Sequence, residues 1–191
     1  MSKLCIGLFG TCGNSTWRSD LFIPAYEKFG WRKCTSAKSW DGENFFDPQL
    51  PGTMWDDILA AGGNPAKVEA EHLAEDAVIC FPVTNETYAA GSLAEVGFSI
   101  LNAIRLDDRR DFIVLVDPKV DQKLVDANPV AAKESLRARA LVLAHLKKQR
   151  LSNLYLVPTL EDMLAVSIAL FKAAQTAYPL RQRYNIPFSF P

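Results

Sequence analysis

The chain has 191 residues, 49% apolar and 23% charged, with a formal net charge of -1. That length suits one domain, residues 1–191, with a substantial core. The near-neutral balance gives no electrostatic case for a nucleic acid polymer or an anionic membrane. Four cysteines without a C-x-x-C pair and two histidines support neither a zinc site nor a disulfide framework. Apolar runs fall well short of the roughly 18 residues of a membrane span. The Met-Ser-Lys opening lacks the apolar stretch of a signal peptide, so a cytoplasmic location is expected.

Leu4 to Phe9 reads as the first strand, running into Gly10-Thr-Cys-Gly-Asn-Ser-Thr16, a loop of small residues that tolerate unusual backbone angles. A helix is expected between Thr16 and Phe29 with Gly30 as its stop, and Pro24 implies either a kink or a late start. Trp31 to Thr35 is read as extended, Asn44 to Gln49 as a strand ending in a turn, and Trp40 and Trp55 as parts of a structured loop over a site. A helix from Ala66 to Glu75 leads into Ala77 to Val83, a short apolar run without alternation, as in a strand covered on both faces.

The next helix opens at Gly91-Ser92, with Leu93, Val96, Gly97, Ile100, Ala103 and Ile104 along one stripe. After an exposed connection from Leu106 to Asp111 comes a strand, Phe112 to Val116. A long helix from Pro129 to Arg150 has its proline in the first turn. Leu154 to Val157 is the last strand. Thr159 caps a final helix with an acidic first turn, reaching about Ala177. Residues 179–191 form a tail carrying Tyr184, Phe188 and Phe190.

Alternating strands and helices predict an α/β fold: a doubly wound, five-stranded parallel sheet with helices on both faces. Ligands bind such sheets beyond the carboxyl ends of the strands, where loops 10–18, 47–55 and 84–95 should meet.

Glu95 is the leading candidate there. Ser92-Leu-Ala-Glu95 fits a capping box, which alone would account for both residues. The chemical alternative places an ionised carboxylate in the first helical turn, favoured by the dipole, and able to trap an oxocarbenium-like sugar during loss of a nucleobase. Small residues at Ala89, Ala90 and Gly91 would let a sugar ring approach. Asp47 suits a sugar hydroxyl or, equally, an Asp-Pro turn. Trp17 and Arg18 are suited to stacking on a base and binding an anionic group, or else to a hydrophobic anchor beside a surface cation. Glu69 and Glu71 precede the central strand on one helix and are either part of the site or solvated.

Four blocks, Gly10-Thr-Cys-Gly-Asn-Ser-Thr-Trp-Arg-Ser-Asp20, Phe46-Asp-Pro-Gln49, Val68-Glu-Ala-Glu71 and Gly91-Ser-Leu-Ala-Glu-Val-Gly97, resemble the nucleoside 2-deoxyribosyltransferase superfamily, in its deoxyribosyltransferase-like branch. The resemblance implies a flavodoxin-like sheet and a glutamate nucleophile at Glu95. It also implies substrate contacts from Gly10, Thr11, Asn14 and Ser92, a nucleoside or nucleotide substrate, no metal or cofactor, and a homo-oligomer whose neighbouring subunits complete the pocket. The studied transferases carry an aspartate six residues before the nucleophile, where this chain has Ala89; for their second aspartate, Glu69 or Glu71 could stand in. The rival expectations are an N-glycoside hydrolase of nucleoside monophosphates or a related N-riboside using Arg18 for the phosphate, a flavodoxin-type FMN module built on the loop from Phe9 to Thr16, and a non-catalytic nucleotide sensor.

Overall fold

The computed structural model describes residues 3–13, 15–34, 44–49, 62, 64–97 and 110–184. Its centre is a five-stranded sheet in the order β2-β1-β3-β4-β5, parallel throughout. The strands are β1 (Lys3–Leu8), β2 (Phe45–Phe46), β3 (Asp76–Val83), β4 (Asp111–Val116) and β5 (Leu154–Leu156). This is the flavodoxin-like order, in which the direction of winding reverses between β1 and β3.

Every residue of β3 is buried, which explains its unbroken apolar run. Ile79, Phe81 and Val83 pack on one side with Leu93 of α3 (Ala90–Glu95), Val96 just after it, and Leu146 of α5 (Pro129–Leu146). On the other side Val78 and Cys80 join Tyr26 of α1 (Ile23–Glu27) and Met163 and Phe171 of α6 (Leu160–Tyr184). Each fully buried side chain of this size contributes about 1.5–3 kcal/mol, so the two apolar layers hold the sheet from both faces.

Helix starts follow the polar signals in the sequence. Asn64 accepts from the Lys67 N–H at 3.0 Å to open α2 (Pro65–Glu75), and Asn128 accepts from the Ala131 N–H at 3.0 Å to open α5. Thr159 accepts from the Asp162 N–H at 3.0 Å before α6. Gly30, with φ +72°, stops the first helical segment as expected. That segment resolves the Pro24 ambiguity: a π-helical turn, Arg18–Phe22, precedes α1, so the proline falls in the first turn of α1, where its missing N–H costs little.

Other boundaries differ from the sequence expectation. Helix α4 (Gln122–Ala127), capped by Asp121, has no counterpart in it; at six residues it is too short to show a period. Helix α5 ends at Leu146 rather than Arg150. Helix α6 continues through Pro179 to Tyr184, giving up the bond that a residue with an N–H would have made to Gln175. Its stretch Leu160–Leu180 is, among the described residues, the one helix long and apolar enough to cross a membrane, although it contains no uninterrupted apolar run of that length. Within the fold its Met163, Ser167 and Phe171 are fully buried on the sheet. Trp40, Trp55, the stripe beyond Gly97 and Phe188 and Phe190 lie outside the described residues.

Gly10 and Gly13 both have positive φ, +89° and +79°. A Cβ at Gly10 would meet the Pro82 carbonyl oxygen at 2.2 Å, whereas one at Gly13 meets nothing within 4 Å. Gly13→Ala should therefore cost about 1–2 kcal/mol from backbone strain alone, and Gly10→Ala about 2–4 kcal/mol. Urea unfolding midpoints check this; equal losses at the two positions would contradict the close approach of β1 and β3.

Candidate active site

The loops leaving β1 and β3 are tied together where the winding reverses. The Thr11 N–H donates to the Pro82 carbonyl at 2.8 Å. The Thr11 hydroxyl donates to the same carbonyl at 3.2 Å and accepts from the Thr84 N–H at 2.9 Å. Across the loops, the Ser15 hydroxyl donates to the Glu86 carboxylate, which also accepts from the Thr84 hydroxyl at 3.0 Å.

Two buried guanidinium groups hold these loops from beneath. Arg18 donates through Nε to the Leu8 carbonyl at 2.9 Å and through Nη1 to the Thr11 carbonyl at 2.7 Å. It also lies over the Trp17 ring at 4.3 Å. Arg139 of α5, fully buried, donates to the carbonyls of Thr84 and Thr87 at 2.8 Å each and of Asp117 at 2.8 Å. Burial pushes both guanidinium pKa values down, against the pull of Cys12 and Asp47 on Arg18 and of Asp117 on Arg139. Arginine stays protonated under such pressure, so both act as fixed cations for carbonyls that the strand ends leave unpaired.

This architecture corrects several expectations. Trp17 is 4% exposed, its indole N–H bonded to the Thr11 carbonyl at 3.0 Å and its ring set edge-on against Phe22; it anchors the loop and offers no face to a base. Arg18, 2% exposed, gives Nε and Nη1 to carbonyls and sets Nη2 3.6 Å from the Cys12 sulfur, so it is a buried loop cation and not a surface one. Gly10 and Thr11 form the β1–β3 junction. Asp47 is buried between Lys33 at 2.8 Å and Arg18 at 3.5 Å, and it accepts from the Gln49 N–H at 3.0 Å, so the Asp-Pro turn explains it. Asn14 lies outside the described residues.

Glu95 and Glu69 remain at the site. Helix α3 begins at Ala90, with Ala89 as its N-cap and no side-chain cap. Ser92 is therefore its third residue and Glu95 its sixth, so the capping box is not formed. The same shift removes the helix N-terminus as support for an ionised Glu95. Glu95 keeps solvent access, yet its surroundings desolvate the carboxyl and push its pKa up. Glu69, half-buried on α2, is pushed up by burial and then by the charge of Glu95, with Arg18 pulling the other way. Glu71 points elsewhere, 3.9 Å from Lys67. Of the two candidate acids on α2, Glu69 is the one that faces Glu95 electrostatically.

Ala89 carries the only positive φ among the described non-glycine residues, +54°, a left-handed conformation that alanine disfavours and Asn or Asp accept more readily. Beside it, Gly91 is exposed, with nothing within 4 Å of where a Cβ would stand. The backbone at the start of α3 is thus open to an approaching ring.

Sequence reasoning passed over Cys12, Glu86 and Arg139. Cys12 is exposed; desolvation pushes its thiol up despite the pull of Arg18 3.6 Å away, and the charges of Glu69 and Glu95 add to the rise. A thiol so placed is a poor nucleophile. Glu86 had a faint signal in the polar turn Thr84-Asn-Glu86. Arg139 had none, being one of several cations along α5. No family model, curated protein or solved structure matches this chain.

The raised carboxyl pKa values have a stability consequence. A carboxyl whose folded pKa exceeds its unfolded value contributes fully when protonated, below about pH 4.3, and loses that contribution as pH rises through the folded pKa. Glu69→Gln and Glu95→Gln, neutral throughout, should each be more stable than the parent at pH 7, by a margin that vanishes near about pH 4. Urea midpoints at the two pH values test this; a margin independent of pH contradicts it.

Proposed function

We propose that this chain cleaves the N-glycosidic bond of a nucleoside, transferring the (deoxy)ribosyl group between nucleobases through a glycosyl ester on Glu95. The observation that carries this reading is the pairing of Glu69 with Glu95 at the carboxyl edge. Burial lifts Glu95, and both burial and the Glu95 charge lift Glu69. In this reading Glu95 acts as the carboxylate nucleophile and Glu69, raised by burial and by the Glu95 charge against the pull of Arg18, as the proton donor.

In the first half-reaction a Glu95 carboxylate oxygen attacks the anomeric carbon as the carbon–nitrogen bond breaks, and Glu69 gives its proton to the departing base. The ester is then opened by a nitrogen of a second base, or by water, and the incoming nucleophile returns a proton to Glu69. Two displacements retain the anomeric configuration. The motifs resembling nucleoside 2-deoxyribosyltransferases support the same assignment of Glu95, and the homo-oligomer they imply is part of the proposal.

The burial of Arg18 and its commitment to loop carbonyls favour a neutral nucleoside over a nucleotide, since a phosphate near two carboxyls would lack that cation. The same burial weakens the reading in which Arg18 holds the phosphate of a nucleoside monophosphate whose N-glycosidic bond is hydrolysed.

A panel of nucleosides and nucleotides, each incubated with and without a second free base, tests the proposal by chromatography of the released base. Release from nucleosides is expected, with a new nucleoside where the acceptor is present. Glu95→Ala should lower the rate at least about a thousandfold. Glu69→Gln should slow it and abolish the alkaline limb of the pH profile. Unchanged activity in Glu95→Ala, or no release across the panel, contradicts the assignment.

A further inference from the structure

At the amino end of the sheet, away from the two glutamates, four metal-binding side chains from four separate segments meet. Cys5 lies in β1, and Cys34 in the extended segment whose Lys33 bridges Phe45. His72 lies in the last turn of α2, and Asp76 opens β3. Cys5, His72 and Asp76 are completely buried, and Cys34 is nearly so. Donor atoms of Cys5, His72 and Asp76 lie within 4.8 Å of one another. The sulfurs of Cys5 and Cys34 are 3.5 Å apart. The His72 Nδ1 stands 3.0 and 3.1 Å from the two Asp76 oxygens.

The sulfur–sulfur and nitrogen–oxygen separations are close to two edges of a tetrahedral site, and Cys34 joins the three-donor group through its contact with Cys5. Bonds of about 2.3 Å to sulfur and about 2.0–2.1 Å to nitrogen and oxygen put two sulfur ligands about 3.8 Å apart and a nitrogen–oxygen pair about 3.3 Å apart. The chemistry fits as well: two thiols, an imidazole and a carboxylate are the donor types that a borderline divalent cation accepts.

The backbone makes room for this arrangement. The β1–β3 register shifts by one residue between Lys3 and Ile6, a bulge of the kind that re-aims side chains. A Cβ at Gly7 would stand 2.9 Å from an Asp76 carboxylate oxygen and 2.3 Å from Phe9, so glycine is what lets Asp76 lie against β1. The His72 ring is stacked on Phe46 with centroids 3.7 Å apart, which fixes its plane.

We propose that Cys5, Cys34, His72 and Asp76 form a structural site for zinc or a similar borderline divalent ion. On binding, each thiol releases its proton to solvent and its sulfur electron pair forms a metal–sulfur bond. Asp76 binds as the carboxylate and His72 as the neutral imidazole. Four protein ligands close the site, giving it no open position for catalysis and making it a cross-link between β1, the Cys34 segment, α2 and β3. The two-sulfur, nitrogen, oxygen donor set selects zinc over magnesium or calcium. The site stands independently of the glycosidic reading.

Cobalt titration tests this. Full-length protein, stripped with a chelator under reducing conditions, should take up one equivalent of Co2+ with tetrahedral d–d bands and thiolate charge-transfer absorption. Zn2+ should displace the cobalt, bleach both features and raise Tm. Cys34→Ser should weaken the charge-transfer band, and Cys12→Ser should leave it intact. If Cys34→Ser fails to fold, X-ray absorption of the parent cobalt protein decides alone: two sulfur and two lighter scatterers support the site, and a shell without sulfur overturns it. It is also overturned if fully reduced protein gives no tetrahedral spectrum, or if folded Cys34→Ser keeps the parent spectrum.

Discussion

Buried arginine is the constraint from which the rest of this structure follows. Parallel strands end with carbonyls pointing into the loops, and those groups must find donors or remain in contact with water. Arg18 meets the need after β1 and Arg139 after β3 and β4, each spreading one cation over several carbonyls. A charge placed so deep is tolerable only while its partners stay put, because an uncompensated buried ion costs several kcal/mol. The guanidinium groups and the loops therefore fix one another. Helix α3 starts just beyond the second of these loops, so the Glu95 backbone inherits its position from Arg139.

Against that rigid frame, the unfavourable features collect at one place. Ala89 is held in a left-handed conformation, Glu69 and Glu95 are both partly desolvated, and Glu69 feels the Glu95 charge. None of these is a choice that stability alone would make. The apolar layers on the two faces of β3 supply the excess that allows them. Strain and raised carboxyl pKa values beside an exposed Gly91 form a concentration of cost that chemistry would explain.

The fold was legible because its signals are periodic and local. The unbroken apolar run of β3, Asn128 before Pro129, Thr159 before an acidic turn, and Gly30 each act within a few residues, and each appears where expected. The roles of Trp17, Arg18 and Asp47 were not legible, since residues suited to ligands by type turned out to be consumed by loop carbonyls and a turn. Long-range geometry decided those cases. The cluster at the amino end was invisible for the same reason: Cys5, Cys34, His72 and Asp76 have no metal-motif spacing, and only His72 and Asp76, one helical turn apart, are neighbours along the chain. Glu95 keeps its candidacy on grounds other than its place in a first helical turn, because its helix begins earlier than Ser92.

The central claim is that a covalent bond forms between a sugar and Glu95, and it can be tested by trapping. A nucleoside bearing fluorine at the 2′ position forms such an ester but opens it slowly, because the fluorine destabilises the oxocarbenium-like state. Protein quenched after exposure to it should gain the mass of one fluorosugar, and peptide fragmentation should locate that mass on Glu95. Release of base with no adduct, or an adduct on any other residue, would contradict a nucleophilic role for that carboxylate.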